Sequence, residues 1–138
     1  MFVKSNAFKI FYCIDPWEPG YDPKDLASTP EIVLAEQDFD RRFKNNEIIK
    51  KIKMKSTDAI NLFQDLSLDF IYIDGCHQYE AVKEDLKNYF PKVKLNGMVC
   101  GHDYNYAPFP GVTQAVNEFF NKTPLKVYPE GSWIHIKN

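Results

Sequence analysis

The sequence predicts an α/β fold: a mostly parallel sheet flanked by helices, closed at the C-terminus by an antiparallel hairpin. Two observations carry this. Short apolar runs rich in β-branched and aromatic residues alternate with amphipathic stretches of helical period. The last stretch, LKVYPEGSWIHIKN, holds two strand-like runs around Pro129-Glu130-Gly131, which has the composition of a turn.

Each element has its own justification. KIFYCID (Lys9 to Asp15) is an apolar, aromatic run ending in an acid, as a buried strand does. PWEPGYDPKDLASTP carries four prolines and one glycine and predicts a loop. Thr29 is placed to cap a helix, with Pro30 at the first helical position and Glu31 and Glu36 in the early turns. That helix extends to about Asn45, with Ile32, Ala35, Phe39 and Phe43 on its inward face. IIKKIKM predicts the next strand, and STDAINLF a capped helix after Ser56. LDFIYID predicts another strand, and YEAVKEDLKNYF an amphipathic helix with Ala81, Val82, Leu86, Tyr89 and Phe90 inward. NGMVCGHDY predicts a turn and then a strand, and PGVTQAVNEFF a helix with Pro110 near its start.

The 138 residues suffice for one domain with a real core, so 1–138 is read as a single domain. A net charge of -2 gives no electrostatic footprint for nucleic acid or for an anionic membrane. The basic run Lys50 to Lys55 alternates with apolar residues and reads as a strand with a solvated face. Cys13, Cys76 and Cys100 are odd in number and irregularly spaced, which supports neither a disulfide framework nor a zinc knuckle. With no signal-peptide pattern and no apolar run long enough for a bilayer, a cytoplasmic protein is expected.

Three expected strands end in acids: Asp15, Asp74 and Asp103. Each has an ordinary account, because Asp often caps a helix or turns a loop. Three at one edge of a parallel sheet share the crevice where such sheets bind ligands. A carboxylate at Asp15 suits a ribose diol, although an Asp before Pro16 is also common in loops; Trp17 suits either base stacking or packing. Asp74, Asp103 and His102 become neighbours if their strands pair, and they would make an oxygen-rich site for magnesium or manganese. His77 stands one turn beyond Asp74, as a proton acceptor or as an N-terminal helix residue. His135 reads as a sheet-surface or packing residue of the last strand.

FYCIDPW, KSTDAINLF, DFIYIDGCHQYEAVKEDLKNYFPKVKLNGMVCGHDY and PGVTQAVNEFF together resemble a family, the class I S-adenosylmethionine-dependent methyltransferases. The closest subgroup holds small metal-assisted O-methyltransferases and relatives of macrocin O-methyltransferase and cephalosporin hydroxylase. The resemblance implies a Rossmann-like three-layer sandwich acting by O-methylation of a small molecule or sugar. It implies that Asp15 binds the cofactor ribose beside Pro16 and Trp17, and that Ser56 and Thr57 line the adenine pocket. It implies a metal at Asp74, His102 and Asp103, with His77 as general base and Asp74 also facing the methyl donor. The family's first strand and glycine-rich turn have no counterpart ahead of Lys9, so the domain is expected to be truncated at its N-terminus. Two other readings stay open: a non-catalytic truncated relative, and a metal-dependent hydrolase or hydroxylase on the same scaffold. An edge left by the missing strand predicts a homodimer.

Overall fold

A computed structural model describes residues 9–25, 28–121 and 125–138. The expected missing first strand concerns the segment ahead of Lys9, which lies outside the described residues. The chain forms two compact units, residues 1–59 and 60–138. Among the described residues no helix is long and apolar enough to cross a membrane.

In the first unit, β1 (Phe11–Asp15) pairs in parallel with β2 (Ile49–Lys53), in the register Phe11 to Ile49 and Asp15 to Lys53. The helix α1 (Ile32–Phe43) starts later than the sequence suggested. Thr29 does not cap it: its hydroxyl bonds the Glu31 carboxylate and holds that group below its ordinary range. The entry is instead a turn in which the Ile32 N–H donates to the Thr29 carbonyl. The inward face differs too, since Ala35 is exposed while Glu36 is half-buried. The cause is β2, whose Lys51 and Lys53, two apart on one face, each place Nζ 2.7 Å from Glu36, with Lys51 also 2.7 Å from Asp40. The expected solvated face of the basic run is therefore ion-paired to α1 at these two lysines. The unit closes with a single helical turn, α2 (Ser56–Ala59), in which Ser56 is the first helical residue. A separate 3-10 turn, Ile60–Leu62, replaces the rest of the expected helix.

In the second unit the sheet order is β3-β4-β6-β5. The strands are β3 (Leu68–Ile73), β4 (Val93–Gly101), β5 (Lys126–Val127) and β6 (Trp133–Ile136). β3 and β4 are parallel, whereas β6 is antiparallel to both β4 and β5. The C-terminal antiparallel hairpin is as expected, but only the β3–β4 pairing of this sheet is parallel, so the expected mostly parallel sheet is met in part. Asn96-Gly97 is not a turn before β4 but a bulge within it. Leu68 pairs with Val93 and Phe70 with Met98, so extra residues loop out on β4. Asn96 takes φ +62, donates its N–H to the Lys137 carbonyl at 2.7 Å, and is followed by a glycine whose Cβ would lie 2.9 Å from the Asp69 carbonyl oxygen.

The helices α3 (Tyr79–Tyr89) and α4 (Pro110–Phe120) match the expected segments and pack on each other. α3 buries Val82, Leu86 and Tyr89, while Phe90 passes into a 3-10 turn. α4 buries Val112, Ala115, Val116 and Phe120 and stops at Asn121, whose left-handed φ of 46° is a helix stop. Trp133, Leu86, Val93, Val99 and Val116 are fully buried. His135 is a packing residue, 4.2 Å from the Phe120 ring centroid. None of the three cysteines forms a disulfide.

Candidate functional site

In the first unit the parallel register puts Asp15 and the start of α2 at the same carboxyl edge of β1 and β2. Asp15 Oδ1 accepts the Trp17 N–H at 2.5 Å, and this tight turn holds Trp17 at φ +48. Burial pushes the Asp15 carboxyl up, the Trp17 N–H draws it down, and the Glu36 charge raises it further. The Trp17 ring is buried, 5.4 Å from the Phe39 centroid, with Lys51 Nζ 4.8 Å from its own centroid. That is the packing arrangement of the two weighed for this residue. Pro16 is buried beside it, and Ser56 and Thr57 are half-buried.

The second unit gathers the remaining residues. Because Ile73 pairs with Gly101, the positions just beyond the two strand ends, Asp74 and His102, fall side by side. The His102 N–H crosses to the Ile73 carbonyl at 3.2 Å and ties the two ends. Asp74, His102 and Asp103 each offer one ligand atom, and these atoms lie within 4.8 Å of one another. His102 Nδ1 is 3.3 Å from Asp103 Oδ2. His77 lies ahead of α3, where the cap residue Gln78 is extended and makes no side-chain cap bond. Its Nε2 lies 3.0 Å from Asp103 Oδ2 and 3.9 Å from Asp74 Oδ1, with the side chain 10 % exposed.

Asp103 is buried at φ +60, a conformation Asp tolerates better than most residues. The turn of the C-terminal hairpin holds it there. The Tyr104 N–H donates to the Gly131 carbonyl at 2.9 Å, and Gly131 itself sits at φ +92. Two carboxylates and an imidazole, one face open through the exposed Asp74, form a donor set suited to a hard divalent cation.

Two neighbours escaped the sequence reading. Tyr72 shares a strand face with Asp74; burial pushes its phenol up, against a hydrogen bond with Ser132, and the charges of Asp74 and Asp103 add to the rise. The period-two alternation of β3 was the signal that would have found it. Phe109 stacks on His77, with ring centroids 4.0 Å apart and planes 7° from parallel. A cavity of about 370 Å³ opens on the same loop, lined by Asn105, Tyr106, Ala107, Pro110, Thr113 and Gln114.

Comparison with known proteins agrees with this architecture. Residues 2–104, well over half of the chain, match the family described as "Methyltransferase domain". A 47-residue stretch is 38% identical to the uncharacterized protein y4gI of Sinorhizobium fredii, covering 34% of this chain and 5% of that protein. Among solved structures, the O-methyltransferase NovP superposes with a TM-score of 0.63 at 16% identity, over 96% of this chain and 62% of that one. CalS11, a TDP-rhamnose 3'-O-methyltransferase of calicheamicin biosynthesis, does so with a TM-score of 0.58 at 15% identity, over 92% and 58%. The chain thus spans about three fifths of the length of these structures. On the family match and the shared fold, this chain belongs to the methyltransferase-domain family and has the Rossmann-like α/β fold of the class I S-adenosylmethionine-dependent enzymes.

Proposed function

We propose that this chain carries the site of an S-adenosylmethionine-dependent O-methyltransferase that acts on a small molecule or sugar with help from magnesium or manganese. The observation that carries the reading is the cluster of Asp74, His102 and Asp103 within 4.8 Å, with His77 Nε2 against it. The acceptors named for CalS11 and the reaction named for NovP support oxygen as the methylated atom.

S-adenosylmethionine, when bound, supplies an electrophilic sulfonium methyl; Asp74, His102 and Asp103 would hold a divalent cation, which would supply positive charge that stabilises the acceptor oxyanion. The chain's own residues bind, orient and handle one proton. Asp15, fixed by the Trp17 N–H, presents carboxylate oxygen to the ribose diol, with Pro16 and Trp17 shaping the turn. Ser56 and Thr57 line the adenine side. The acceptor hydroxyl gives its proton to the His77 imidazole, and Asp103 Oδ2 and Asp74 Oδ1, 3.0 and 3.9 Å from Nε2, balance the positive charge the ring gains. The acceptor exchanges O–H for O–CH3, and the proton leaves on His77. Catalysis is mostly positioning.

Calorimetric titration with S-adenosylmethionine, with and without magnesium, tests the reading. Binding is expected; no heat of binding in either condition overturns it. Asp74→Asn and Asp103→Asn are each expected to remove the rise in melting temperature on adding manganese, and retention in both refutes the cation site.

A further inference from the structure

We propose that Phe109 is the positioning residue for His77, and that Gly111 is what allows it to be one. The inference rests on the reading of His77 as the proton acceptor. An imidazole met at Nε2 can still swing about its Cβ–Cγ bond, which would carry the ring out of line with an acceptor hydroxyl. Two contacts on the ring oppose that swing. Asp103 meets its edge, with Oδ2 3.0 Å from Nε2, and Phe109 covers its face at 4.0 Å with the planes 7° apart.

Both contacts come from one segment, the loop joining β4 to α4. The Tyr106 N–H donates to the Asp103 carbonyl at 3.3 Å, and the Phe109 N–H donates to the Tyr106 carbonyl at 2.9 Å. The Asn105 N–H donates to Thr113 Oγ1 at 2.8 Å, which ties the loop to the first turn of α4. Tyr106 buttresses the phenyl ring edge-on from 5.5 Å. The seat exists because α4 begins against the backbone of the His77 turn. A Cβ on Gly111 would lie 2.6 Å from the Tyr79 nitrogen and 3.2 Å from the His77 carbonyl oxygen. Any larger residue there lifts the start of α4, and Phe109 with it, off the imidazole.

The experiment compares Phe109→Leu, which keeps most of the apolar volume, with Phe109→Tyr, which keeps the aromatic face. A readout independent of catalysis is the proton chemical shift of the His77 ring. Phe109→Leu is expected to move it downfield as the ring current is lost, and Phe109→Tyr to leave it in place; identical shifts in all three proteins overturn the stacking. In methyl transfer, Phe109→Leu is expected to lower kcat by roughly three- to tenfold, the factor an aromatic pair converts to, with KM for S-adenosylmethionine unchanged. Phe109→Tyr is expected to restore it to about twofold of the parent. In a His77→Gln background, Phe109→Leu is expected to cost nothing further. An equal loss in both backgrounds overturns the positioning role, whereas full activity in His77→Gln alone overturns the reading of His77 as base and leaves the ring-shift result standing.

Discussion

Gly101→Ala is the sharpest test of how the second unit holds its cluster. Gly101 ends β4, pairs with Ile73 on one side and Trp133 on the other, and precedes His102 and Asp103. A Cβ there would lie 2.6 Å from the Ile73 carbonyl oxygen and 2.6 and 2.7 Å from Trp133 Cζ2 and Cε2. Neither neighbour yields easily, because the indole is fully buried and the Ile73 carbonyl accepts the His102 N–H. Overpacking of this kind costs about 1–3 kcal/mol, and losing or stretching the His102 bond adds about 1 kcal/mol. The sum is roughly 2–4 kcal/mol, which for a chain of this size lowers the melting temperature by roughly 8–15 °C. The methyl group would also spread Asp74 from His102, so any manganese-dependent stabilisation should disappear. Urea and thermal melts with and without manganese measure both effects. A variant within about 0.5 kcal/mol of the parent, the range of ordinary surface changes, would refute the packing reasoning.

Two further outcomes follow from the titrating groups. Asp15→Asn keeps an oxygen for the Trp17 N–H and removes a carboxyl that burial pushes up from 3.8. A raised folded value means that the stability from this group is present below the unfolded value and lost as pH rises through the folded one. The variant should therefore melt no lower than the parent near neutrality. Its affinity for S-adenosylmethionine should nevertheless fall roughly 10- to 100-fold, the worth of a charged hydrogen bond; calorimetry showing unchanged affinity contradicts the ribose role. Burial also pushes the His135 imidazole below its ordinary 6.5. Stability from this ring is full above that value and lost as pH falls through the lower folded one. His135→Phe should flatten the decline of melting temperature on the acid side, and equal acid sensitivity in both proteins contradicts it.

The parts legible in the sequence were those where local pattern and packing agree. Val82, Leu86 and Tyr89 recur at helical spacing and are buried, and α4 starts at Pro110, whose missing N–H costs nothing at a first helical turn. The adjacency of Asp74 to His102 and Asp103 follows from the pairing of consecutive strands. Most of what failed depended on partners distant in the chain. Asn96-Gly97 carries the composition of a turn, yet the Lys137 carbonyl and the backbone at Asp69 make it a bulge inside β4. Thr29 has the chemistry of a cap, but the nearby Glu31 carboxylate captures its hydroxyl. Phe109 stands in the aromatic stretch Tyr104 to Pro110, and its stacking on His77 depends on the close approach of Gly111 to the backbone of the His77 turn, which no local pattern records.

The two tryptophans of the sequence are divided evenly, Trp17 in the first unit and Trp133 in the second, and both are buried. Their surroundings differ, since a lysine ammonium stands over Trp17 while the Phe120 ring lies 6.0 Å from Trp133. The protein thus carries a separate optical reporter in each unit. Replacing either tryptophan by phenylalanine leaves the intrinsic fluorescence of the other alone, and two such single-tryptophan chains record the melting of residues 1–59 and 60–138 as separate traces.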